Sequence, residues 1–166
     1  WVKTYGGSRD DRGYGVHTKG GGPIVTGVFR SSNLDFGGGP VGVGDTDTDI
    51  FVLSLDMFGV YNSSMTISSD EGCDESSRDI YVGPLYNSAH HITGFHTSNC
   101  TIDFGGSIGE LSSFGGGQDI LMVRIGNNNL PPGCVYAAGG SGNDRGLSVT
   151  VDSNENIYVT GIFRNT

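Results

Sequence analysis

Asp and Thr alternate through Asp45-Thr46-Asp47-Thr48-Asp49. Acids spaced two apart on an irregular loop can turn their oxygens onto one hard cation, as a calcium loop does. The run lacks the glycine that follows the third acid of such a loop, and its nearest distal acid, Asp56, lies beyond an apolar stretch. In the second half of the chain Phe114-Gly115-Gly116-Gly117 replaces Asp45 and Asp47, while Asp119 stands where Asp49 does. Asp49 and Asp119 thus read as residues that open a strand, and Asp45 and Asp47 as solvated loop. The trio Asp45, Asp47 and Asp49 is kept as a calcium candidate; no other cofactor is implied.

His90 and His91 are adjacent, with His96 following. Neighbours on a strand face opposite ways, and so do residues five apart, so these rings do not converge. Zinc needs three or four convergent ligands, so the histidines read as surface or pore-lining groups. Asp11-Arg12 recurs as Asp144-Arg145. A pair repeated at each turn reads as a structural tie, since a catalytic pair would not recur in every unit. There is no P-loop or Cys-x-x-Cys, and the glycine runs open no helix that could cradle phosphate. A glycosidase or lyase would need paired carboxylates near a funnel, whereas the acids here lie mostly in repeated turns. The expectation is a protein without a catalytic site.

The elements that must position these residues repeat. Thr26-Gly27, Thr93-Gly94 and Thr160-Gly161 stand 67 residues apart, each inside an alternating apolar stretch. Alternation is the period of a half-buried strand, and a fixed offset marks an internal repeat. Around this strand B (Val25 to Arg30, Ile92 to Thr97, Tyr158 to Arg164) the other elements fall into place. Strand A is Tyr14 to Thr18 and Leu147 to Val151, with Ile80, Val82 and Leu85 in the middle copy, where Pro84 shortens or bulges it. Strand C is Asp49 to Asp56 and Asp119 to Gly126, apolar enough to be buried on both faces. Strand D is Ser63 to Ile67 and Cys134 to Ala138, with a lone D strand at Trp1 to Tyr5. The units are 1–67, 68–134 and the half unit 135–166, together one domain or a segment of a larger one.

Composition narrows the classes. The 166 residues carry a formal net charge of −9, with nine basic side chains against eighteen acidic. That balance excludes a nucleic-acid groove or an anionic membrane surface as partner, and no apolar run is long enough for membrane insertion as a helix. Gly is 30 and Pro only 5, without a Gly-X-Y period, which fits short strands joined by tight turns. The opening at Trp1, with neither Met nor a signal pattern, reads as a mature or trimmed segment of a longer chain.

Four short antiparallel strands per unit, repeated without helical periodicity, is the pattern of propeller blades. Gly139-Gly140-Ser141 with Asp144-Arg145-Gly146, then Ile157 to Phe163, with Asp35-Phe36-Gly37-Gly38-Gly39 and Asp49 to Asp56, resembles the seven-bladed β-propeller repeat family. The likeness covers nearly the whole chain and is looser in the middle copy; the unit is longer than the family's usual one. It implies an all-β fold of propeller blades, about two and a half repeats in an incomplete ring. It also implies a secreted or cell-surface structural or binding module, not a catalytic one. In such a blade the B–C loop and the D-to-A connection share a face. That placement pairs Cys73 with Cys100 and leaves Cys134 free or paired between chains. Asn62-Ser63-Ser64 and Asn99-Cys100-Thr101 are sequons for N-glycosylation at Asn62 and Asn99. With the cysteines they suggest an extracellular setting.

Two and a half blades cannot close a ring, so the partners expected are adjoining blades of the same polypeptide or further copies. The ends carry the candidate contacts: Trp1 and Tyr5 at one, Ile157, Val159 and Phe163 at the other. A head-to-tail filament or ring follows. The alternative is an extracellular module that binds a glycan or protein ligand through its loops.

Overall fold

The computed structural model describes residues 1–18, 21–41, 47–69, 72–83, 89–97, 100–104, 108–111, 115–126 and 134–164. These residues fold as antiparallel sheets, none of them closed, and contain no helix.

The first sheet begins as a meander of β1 (Arg12–Thr18), β2 (Pro23–Phe29), β3 (Asp49–Leu55) and β4 (Tyr61–Ser69). The second is built from β5 (Glu75–Val82), β6 (His90–Thr97), β9 (Gln118–Ile125) and β10 (Cys134–Ala138), which pair in that order. Between β6 and β9 the chain forms a small hairpin, β7 (Thr101–Asp103) and β8 (Ile108–Glu110). Through β7 this hairpin joins the outer edge of β4, so the first sheet has six strands rather than four. The third sheet is the pair β11 (Arg145–Val151) and β12 (Ile157–Ile162).

Alternation decides which faces are buried. Cross-strand partners share a face, so Ile24, Ile50, Val52, Met65 and Ile67 point together from the first sheet. They meet Ile80, Val82, Ile92, Leu121, Val123 and Ile125 of the second sheet, and Ile102 and Phe104 close the edge. Ile50, Ile67, Ile92 and Ile102 are fully buried, each contributing about 1.5–3 kcal/mol by leaving water. β3 is buried on both faces, with Phe51, Leu53 and Leu55 turned the other way onto Phe29, Leu34 and Phe36. The expectation of the same for β9 fails. Leu121, Val123 and Ile125 are buried, but Ile120 and Met122 only half so, and Arg124 is exposed. The third sheet has only two strands to lay over that face.

The three first hairpins share a defect in their ladders. A one-residue bulge lies between Gly13 and Gly15, between Ser77 and Asp79, and between Gly146 and Ser148. The bulged residues are Tyr14, Arg78 and Leu147. Strands β1, β5 and β11 then come close at these points. A Cβ on Gly15 would lie 2.9 Å from the Ile80 nitrogen. The Asp79 carboxylate accepts from Val149 N at 3.1 Å and from Ser148 Oγ at 2.8 Å.

Aspartates set the strand turns. Asp56 Oδ1 accepts from Phe58 N and Val60 N, both at 2.8 Å. Asp152 Oδ1 does the same for Asn154 N at 2.8 Å and Asn156 N at 2.9 Å. Such a side chain stands in for a backbone acceptor within the turn.

Two strand expectations are corrected. Trp1 to Tyr5 lies outside any strand, because among the described residues no strand pairs with it. Trp1 Nε1 donates instead to Met57 O at 3.0 Å, and Tyr5 stacks edge-on against Phe36. The middle copy's first strand is Glu75–Val82, beginning earlier than Ile80 and ending before Pro84. Pro84 and Leu85 lie outside the described residues.

Candidate functional site

The two outer faces of the sheet stack are open, and they are not alike. Val16 and Val149 hold the same register after their bulges, yet Val16 is 65% exposed and Val149 4%. Val149 shares its face with Val151, Val159 and Ile157 and packs against the second sheet; among the described residues no sheet covers Val16 in the same way. At the other end the relation reverses. Val28 on β2 is 6% exposed, whereas Ile162, at the matching place on β12, is 39% exposed. Tyr158 and Thr160 are exposed beside Ile162, where Ile24 and Thr26 are buried on β2.

The ends expected as contacts are thus divided. Trp1 and Tyr5 border the open face of the first sheet, where a cavity of about 340 Å³ is lined by Trp1, Tyr5, Val16, Val25, Phe51 and Leu53. Ile157 and Val159 are half-buried on the inward face of the third sheet, while Phe163, just past β12, is exposed. Sequence reasoning missed Tyr158 and Ile162 as the exposed residues. The pairing of Val159 with buried Val149 identifies the inward side, and no sequence pattern marks which side that is.

Of the candidate calcium residues, Asp45 lies outside the described residues. Asp47 Oδ2 accepts from Gly72 N, and Asp49 is buried as the first residue of β3. Among the described residues no group of three or more His, Cys, Asp or Glu could hold a metal ion. Cys73 and Cys100 form a disulfide with Cα atoms 6.2 Å apart, and Cys134 is a free thiol. Asn62 is exposed on β4, with Nδ2 donating to Ser54 Oγ at 3.4 Å; Asn99 lies outside the described residues. His90, His91 and His96 are all buried rather than surface groups. Burial lowers the affinity of each for a proton, that of His90 down to about 4.

A polar cleft of about 230 Å³ opens where the bulges of the first two sheets meet. Three of the nine basic side chains, Arg12, Arg30 and Arg78, line it. Arg12 pairs with Asp10 and Arg30 with Asp74, both at 3.5 Å. Glu75 is wholly buried at its floor, with Ser69 Oγ donating to Oε2 at 2.8 Å. Burial, opposed by that bond and reinforced by Asp49, Asp74 and Asp47, pushes its carboxyl up to about 9, so it is neutral at pH 7. Glu75 holds the register of Asp11 and Asp144. Those two accept from backbone N–H groups, Asp11 from Gly7 and Arg30, Asp144 from Gly140 and Arg164. Reading Asp-Arg as the repeated pair concealed this site, because in the middle hairpin the acid and Arg78 are three residues apart.

No helix of the described residues is long and apolar enough to cross a membrane. The sequence matches no family model, and no curated protein matches it significantly. The likeness to the propeller repeat family rests on its motifs alone.

Proposed function

We propose that this chain is a non-enzymatic, extracellular structural module of propeller-type blades that assembles head to tail through its two open sheet faces. The observation that carries the reading is the reversed burial of matched residues. Ile24, Thr26 and Val28 bury against the second sheet inside the molecule, and their counterparts Tyr158, Thr160 and Ile162 are bare at the far end. Val149 buries, and its counterpart Val16 is bare. The occupant that fits each face is a second copy presenting the other, continuing the packing already used between the sheets. Complementarity extends to width. On that face Phe51, Leu53 and Leu55 of β3 are covered by Leu34, Phe36 and Tyr5, so the bare part is the β1–β2 end of the sheet, and the third sheet offers just two strands. A heterologous contact of this kind propagates as a filament or closes as a ring. The bridge between Cys73 and Cys100 supports an oxidising, extracellular setting.

Sedimentation of single-face variants tests this. The parent chain should associate with rising concentration. Val16→Asp and Ile162→Asp, both at exposed positions and so compatible with folding, should each be monomeric alone. Mixed, they should form one-to-one dimers, since each keeps the face the other lacks. A parent that stays monomeric throughout, or single variants that polymerise, would overturn the reading. The polar cleft favours a binding role beside assembly, since neither open face covers it.

A further inference from the structure

The cleft holds a cation that no described carboxylate neutralises. Arg78 stacks its guanidinium over the Tyr14 ring at 4.6 Å and the Phe95 ring at 5.4 Å. Among the described residues no carboxylate lies within ion-pair distance of it. Stacking occupies the faces of the guanidinium and leaves its in-plane N–H edge. A guanidinium edge matches the two oxygens of a carboxylate. Glu75 Oε1 is buried without a hydrogen-bond partner, which is costly for a buried polar atom. With no cation on it, the carboxyl stays protonated and offers an O–H. The lining also includes Ser76 and Thr48 and the acids Asp10 and Asp74. Hydroxyls and carboxyl oxygens together suit a ligand rich in hydroxyl groups, whose O–H groups donate to those oxygens.

We propose that this cleft is a binding site for a sugar acid, a hexuronic acid being the simplest, with its carboxylate on the edge of Arg78. Glu75 donates to the same carboxylate or to the ring oxygen beside it, and Asp10 and Asp74 accept hydrogen bonds from its hydroxyl groups. The proposal does not rest on the assembly reading, since the cleft lies between the first and second sheets of one chain.

Ligand-observed saturation-transfer NMR on the full chain is the test, because it works on monomer and polymer alike. D-glucuronate is compared with its methyl ester and with D-glucose. The acid should bind saturably and about tenfold or more tighter than either neutral probe, the effect of losing a charge-assisted pair. Arg78→Gln should lose that preference, and Ile162→Asp should keep it. Equal affinity for acid and ester, or no saturable binding of the acid, overturns the proposal. So does a stronger response to an N-acetyl aspartyl peptide, which would mark a protein ligand. Should Arg78→Gln fail to fold, the acid-to-ester ratio on the unaltered chain decides.

Discussion

Gly59 and Glu155 hold the same place in two turns of identical hydrogen bonding, and both have positive φ, 78° and 63°. Glycine enters that region freely, whereas a residue with a Cβ is strained there. Glu155→Gly is expected to raise stability by about 0.5–1 kcal/mol, read as a higher urea midpoint with unchanged slope. The reciprocal Gly59→Ala should be destabilising. Its Cβ would lie 2.6 Å from the Trp1 ring as well as in strained backbone.

The bridge between Cys73 and Cys100 spans 27 residues. It ties the connection between β4 and β5 to the start of β7. Replacing both cysteines by alanine should lower unfolding free energy by about 3–4 kcal/mol on the chain-entropy account. Under denaturing, non-reducing conditions a single thiol per chain, on Cys134, should react with maleimide. Recovery of Cys134 in a disulfide within one chain would contradict the structure.

Buried titrating groups set an uneven pH profile. The Glu75 carboxyl rises from 4.5 to about 9 on folding. Its contribution is therefore complete below 4.5 and is lost as pH climbs toward about 9. His90 falls from 6.5 to about 4, mainly by burial and further by His91 and His17. Its contribution is complete above 6.5 and is lost as pH drops toward about 4. His91 and His96 are lowered as well, so three histidines act against one carboxyl; stability should climb with pH up to about 6.5 and decline above it. Glu75→Gln should equal the parent near pH 4.5 and exceed it by more than about 1 kcal/mol in mild alkali. Parallel denaturation curves across the range would refute this.

Material from an N-glycosylating secretory route should carry a glycan on Asn62, whose side chain is exposed. Endoglycosidase release in heavy-oxygen water, with peptide mapping, checks it. An unmodified Asn62 peptide from such a source would count against the extracellular setting.

Most of the strands were legible because alternation is a strong local signal. Val25 to Phe29, Asp49 to Leu55 and Ile157 to Ile162 each read directly as strands. The hairpin of Thr101–Asp103 and Ile108–Glu110 was not legible, since three residues carry no period and its partner β4 is distant in sequence. Trp1 to Tyr5 aligns with Cys134 to Ala138, which does form a strand, but that likeness cannot supply a neighbour to pair with. The polar cleft escaped because Glu75 stands where the other hairpins have Asp, and because the bulge puts Arg78 on a register of its own. Val16 and Val149 are the same residue in the same local pattern. Their opposite exposure is decided by the sheets around them, which local sequence does not encode.

The hairpin β7–β8 leaves the second sheet's chain and adds itself to the edge of the first, beside the bridge of Cys73 and Cys100. Separating those two sheets means stripping a ladder and rupturing a covalent bond. The third sheet is joined by packing and by a few hydrogen bonds around Asp79 and Gln118. Under tension along the chain, the joint before β11 yields first, and the locked pair of sheets behind it bears the load.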